Sequence, residues 1–135
     1  MIHRRLRSSF AHVAAVIYTA GTVFHVVRVI IRLDLQDMPY FPDVIIVVLG
    51  SWAVAGMLLF AREIQYRGRW EHVLHWLIVL HLGISVLVHA WILVVRSHAA
   101  VAVFSVSYSY FGALYFGLFA WRLWTMRLHP AASAT

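Results

Sequence analysis

The run His75–Arg96, HWLIVLHLGISVLVHAWILVVR, decides the fold. It carries no charged residue before its terminal arginine. In a helix rising about 1.5 Å per residue, it is long enough to cross the ~30 Å hydrocarbon core of a bilayer. Yet it keeps imidazoles at positions 75, 81 and 89. Polar side chains inside a membrane are costly and face the protein interior, so these three need an account.

Three further apolar runs, Phe10–Ile31, Val44–Ala61 and Val101–Trp121, accompany the quoted one, which extends over Val73–Val95. The 135-residue chain is 63% hydrophobic and 12% charged, with a mean hydropathy of +0.82. A soluble domain is roughly half apolar and about a quarter charged. Backbone groups must pair internally in lipid, and the alternation of a barrel strand is absent, so the spans are helices. The expectation is an all-α, integral membrane four-helix bundle forming one domain over residues 1–135.

The formal net charge of +6 does not mark a nucleic-acid binder, because the basic residues sort by side. All are arginine: Arg4, Arg5, Arg7, Arg62, Arg67, Arg69, Arg122 and Arg127 lie on one side of the spans, and only Arg28, Arg32 and Arg96 on the other. The positive-inside rule then places both termini in the cytoplasm of a plasma-membrane protein. The first span is too long for a signal-peptide core and lacks a small-residue cleavage site, so it reads as an anchor. The absence of cysteine excludes disulfides, thiolate metal sites, covalent c-type haem and S-acylation.

The outer loop DLQDMPYFPD carries Pro39 and Pro42, which interrupt helices, and ends at Asp43, an expected N-cap of span two. The outer turn RSHAA is short enough to make spans three and four antiparallel neighbours. Gly68 is the expected cytoplasmic turn, and the chain after Pro130 reads as a frayed tail. Gly50, Ala53 and Gly56 on span two, with Gly112 and Gly117 on span four, suit close helix packing within the bundle or between copies.

Spans one and three share an echo: His25 and Arg32 are separated as His89 and Arg96 are, a spacing that stacks each pair on one helix face. His25 and His89 also lie at matched depth, about 7–8 Å outward of the span midpoints. A bis-histidine haem b takes one imidazole from each of two facing helices, so His25 and His89 are candidate axial ligands to iron. His12 and His25 diverge by about 140° around their helix, against about 40° for His75 and His89, which makes a second haem doubtful. Arg28, Arg32 and Arg96 stand where propionates would emerge, and guanidinium forks suit carboxylates.

The run RWEHVLHWLIVLHLGISVLVHAW, with its HW pair at the inner end, resembles the histidine-bearing helices of bacterial cytochrome b561-type four-helix proteins. The likeness covers one helix of the four. It implies haem b and electron transfer, with His75 as an inner ligand.

Two other readings use the same residues. Neutral histidines in a helical bundle commonly bond a hydroxyl or carbonyl on a neighbour, and span four supplies Ser105, Ser107, Tyr108, Ser109, Tyr110 and Tyr115. A stripe of Ser105, Tyr108, Gly112 and Tyr115 can face span three. Alternatively, His25, Arg28, His89 and Arg96 line an outward cavity of a small anion or proton channel or transporter. Arg28 lies a turn deeper than Arg32 and needs a partner such as Asp34, Asp37, a lipid phosphate or an anion. His72 and His98 fall near the interfaces. A non-catalytic subunit beside a larger membrane partner, or a homo-oligomer, also suits a chain with no soluble domain. No P-loop, nucleophile elbow or HExxH is present, and no mid-membrane carboxylate, which argues against an enzyme and against a proton-coupled drug exporter.

Overall fold

A computed structural model describes residues 2–33, 38–99 and 106–128, with side chains withheld at 2–8, 106, 107, 127 and 128. Helix α1 spans Ile2–Ile31. Helix α2 spans Phe41–Leu59 and contains a π-helical turn at Ile46–Gly50. A short 3-10 turn, Ala61–Glu63, leads into strand β1, Ile64–Gln65. Helix α3 spans Arg69–Val95 and α4 spans Val106–Trp124, followed by strand β2, Arg127–Leu128. The two strands pair antiparallel, Ile64 opposite Leu128, and tie the inner loop to the end of α4.

The element ends follow from local chemistry. Pro42 sits in the first turn of α2, where its missing N–H costs nothing. That lets the helix begin at Phe41, three residues before the expected Val44, with Tyr40 rather than Asp43 as N-cap. Asp43 therefore belongs to the helix, and it is buried, so the span does hold an acid near its outer end. Gly68 is extended and precedes α3, as the turn reading requires. Arg32 and Arg96 both adopt the left-handed conformation as their helices end. The echo between spans one and three therefore extends to the backbone. Span four was expected over Val101–Trp121; the described helix ends at Trp124, and residues 101–105, with Ser105 of the proposed stripe, lie outside the described residues. The tail after Pro130 lies outside them too.

Three helices are long and apolar enough to cross a membrane: Ser9–Ile31, Phe41–Leu59 and Arg69–Val95. Most of each turns outward, with Ile30, Leu59, Leu87 and Val94 among the well-exposed side chains. Apolar area this continuous is an aggregation hazard in water and an ordinary surface in lipid. These features mark a membrane protein. Helix α4 has the length, 19 residues or about 28 Å, but its serines, tyrosines and tryptophans dilute its hydropathy, and it does not join that set.

The helices do not pair in chain order. Helix α4 packs most extensively on α1, and α3 packs chiefly on α2; α3 and α4 touch less than the short outer turn suggested. Small residues on α1 (Ala11, Ala14 and Ala15) let the backbones close in around a core of Tyr18, Met57, Leu74, Ile78, Leu82 and Phe119. On the α1–α4 seam, a Cβ on Gly21 would come within 2.5 Å of the Phe116 ring, so this approach needs glycine. Helices α1 and α3 stand diagonally and meet through long side chains such as Tyr18.

Candidate functional site

The polar side chains of the helices gather inside the bundle in three places. The first lies at the outer end of the α1–α4 seam. Arg28, 4% exposed, donates from Nη1 to Ser109 Oγ at 3.1 Å and from Nε to the Leu33 carbonyl at 3.3 Å. His25 Nδ1 lies 3.1 Å from the same Ser109 oxygen. Ser109 Oγ carries two lone pairs and one proton, so it accepts from Arg28 and either donates to His25 Nδ1 or accepts from it, according to the imidazole tautomer. The ring also packs on Gly112, where a Cβ would stand 2.9 Å from Cγ and Nδ1. Arg28 thus has a serine and a carbonyl among its partners; Asp34 and Asp37, the acids expected to meet it, lie outside the described residues.

The second cluster joins α2, α3 and the outer turn. Asp43, 3% exposed, receives His89 Nδ1 on one carboxylate oxygen at 2.5 Å and His98 Nε2 on the other at 3.0 Å. An ionised carboxylate only accepts, so both imidazoles donate to it, and these charge-assisted bonds are the strong kind. Tyr40 stacks on His98 with ring centroids 4.8 Å apart, and its hydroxyl donates to the Arg96 carbonyl at 2.5 Å. Arg96 itself closes α3 with its side chain exposed.

The third lies mid-bundle. Tyr18, fully buried, donates to the Ile78 carbonyl at 3.3 Å and lies 2.8 Å from His81 Nδ1. His81 stacks edge-on against Tyr115, Phe116 and Phe119, and the Tyr115 hydroxyl bonds that of Tyr108. Tyr108 in turn stands edge-on to His25, so the outer and middle clusters adjoin.

These placements bear on the haem that the b561 resemblance implies. His81 is the α3 histidine that faces α1, through Tyr18. His89 is eight residues further, about 80° around the helix, and turns to Asp43 on α2 instead. His25 turns to Ser109 and Gly112 on α4, with its Nδ1 bonded to the serine. Depth is one coordinate and direction is the other. As folded, the two imidazoles do not form an axial pair and do not fit a bis-histidine haem. His75 lies at the inner end, 1% exposed, with neither ring nitrogen hydrogen-bonded. Among the described residues no three histidines or acids converge as metal ligands.

Sequence reasoning offered the span-four hydroxyls, Ser109 among them, as partners for the histidines, and Ser109 does bond His25; it did not pair Arg28 with a serine. It missed Asp43 with His98, because an acid beside prolines reads as a cap and a histidine in a short turn reads as interfacial. It also set His81 aside, though the spacing of His81 from the span-one tyrosine at matched depth was available. No family model matches this chain, and no curated protein or solved structure is similar to it.

Proposed function

We propose that the chain is a four-span plasma-membrane protein with both termini in the cytoplasm, and that it is a small proton channel or transporter. The observation that carries this reading is the run of protonatable side chains inside the bundle, from Arg28, Ser109 and His25 through Tyr108 and Tyr115 to His81 and Tyr18. Ionisable groups in spanning helices that face the interior mark ion and proton paths. Helix α4 completes this interior, which supports counting it as the fourth span: three helices alone would leave Arg28 and His25 facing lipid. The arginines at the inner ends support the orientation.

The middle of the path has two proton arrangements. In one, Tyr18 donates to the Ile78 carbonyl and His81 donates to Tyr18; in the other, Tyr18 donates to His81 Nδ1. The two arrangements differ in the His81 tautomer, so passing from the first to the second needs one proton to arrive at Nε2 as another leaves Nδ1. Purified protein in liposomes loaded with a pH-sensitive dye, driven by a potassium diffusion potential, is expected to acidify or alkalise the lumen faster than empty liposomes. His81→Phe and Tyr18→Phe should each cut that rate about tenfold or more. Rates equal to empty liposomes sink the reading. A dithionite-reduced visible spectrum of the same sample is expected to lack sharp haem bands.

A further inference from the structure

At the inner end of the bundle, apart from the proton path, two buried side chains and one half-buried tyrosine carry polar atoms with no hydrogen-bond partner. Arg122, in the last turn of α4, is 1% exposed, and its Nε and Nη2 make no hydrogen bond. His75 on α3 is equally buried with both nitrogens unbonded, and so is the hydroxyl of Tyr66. The three converge: the Arg122 guanidinium stands 5.8 Å over the Tyr66 ring, and that ring is 5.8 Å from the His75 ring.

A buried guanidinium with two idle donors is strongly unfavourable unless something negative meets it. Glu71 attracts Arg122 and Arg67 repels it, and one Glu71 oxygen accepts from the Arg67 backbone N–H at 2.8 Å, so neither fills the idle Nε and Nη2 donors. Nε and Nη2 form one edge of the guanidinium, two parallel donors spaced for two oxygens of one oxyanion. Tyr66, in the inner loop, is kept protonated because burial raises its pKa despite the pull of Arg122, so it donates too. With His75 the set offers four donors, enough to surround a phosphate group.

The geometry points to a phosphate-binding site formed by Arg122, His75 and Tyr66 at the cytoplasmic end of the bundle. Exposed Trp70, Trp121 and Trp124 lie near the same ends of α3 and α4, the level at which indoles meet lipid headgroups. The phosphate therefore comes from a lipid headgroup or from the cytoplasm. Tyr66 lies in the loop between β1 and α3, so tilting its ring opens the site without breaking a helix.

The test is thermal unfolding of the full chain by tryptophan fluorescence. In phosphate-free detergent micelles, inorganic phosphate is compared with chloride at equal ionic strength, and micelles doped with phosphatidylglycerol are compared with micelles doped with diacylglycerol. We expect a rise in Tm of about 3 °C or more in one arm. A rise with inorganic phosphate identifies a free anion, and a rise with phosphatidylglycerol alone identifies a headgroup. Arg122→Gln should abolish the rise. Should that variant not fold, Tyr66→Phe and His75→Gln should each shift the half-maximal phosphate or lipid concentration upward several-fold. No rise in either arm, or a rise undiminished in the variants, overturns the site. Proton flux is not a readout here, so the site stands or falls apart from the transport reading.

Discussion

A single hydroxyl, Ser109 Oγ, accepts from Arg28 and is bonded to His25. Ser109→Ala removes both bonds and leaves a buried guanidinium donor and a buried ring nitrogen short of partners. The expected cost is about 2–4 kcal/mol, measured as unfolding in mixed micelles. Gly112→Ala acts from the other side of the ring: its methyl would arrive 2.9 Å from His25 Cγ. Overpacking of this kind costs about 1–3 kcal/mol. Asp43 offers a third comparison. Asp43→Ala strands His89 and His98 together, so a double-mutant cycle with His98→Ala should show coupling of at least about 1 kcal/mol. At this scale the sequence was half legible. The span-four hydroxyls open to a histidine are visible in the sequence, and Ser109, which bonds His25, is one of them. The bond from His98 to Asp43 reaches across 55 residues through a turn and leaves no periodic trace.

Among the elements, the two left-handed arginines stand out. Arg32 and Arg96 hold φ of 52° and 54°, a region glycine occupies freely and other L-residues enter at a cost. Arg96→Gly should therefore stabilise the fold by about 1 kcal/mol, since the carbonyl that Tyr40 uses belongs to the backbone and survives the change. Unfolding midpoints of wild type and variant check this. Helix ends were legible only approximately: Pro42 reads as a stop but serves as a first-turn residue, which moved the start of α2 outward and took Asp43 inside.

A helical membrane protein is readable in outline from hydropathy, because long apolar runs announce the helices able to span. Their arrangement was not, since nothing in an apolar face states which neighbour it meets. Helix α4 chose α1 through Gly21, Gly112 and the aromatic ring of Phe116, small-to-large matches visible only once the register is known. The proposed orientation has a direct check. The chain has no cysteine, so Ser97→Cys and Gln65→Cys each introduce a single thiol. An impermeant maleimide added to whole cells should label the first and not the second. Labelling of Gln65→Cys from outside would invert the topology.

The π turn at Ile46–Gly50 has a consequence at the level of chain length. A turn of that kind holds about one residue more than an α turn. Below it, Ala53 and Met57 of α2 engage the core beside α1; above it, Asp43 engages α3 and the outer turn. The surplus residue is what lets both halves face their partners at once. Val48 within that turn is exposed, so deleting it removes no core contact. The loss should nevertheless swing Asp43 about 100° around the helix axis, away from both imidazoles. A one-residue excision on the lipid face would thus uncouple the outer cluster as surely as removing the carboxylate, and reinsertion of any apolar residue there should restore it.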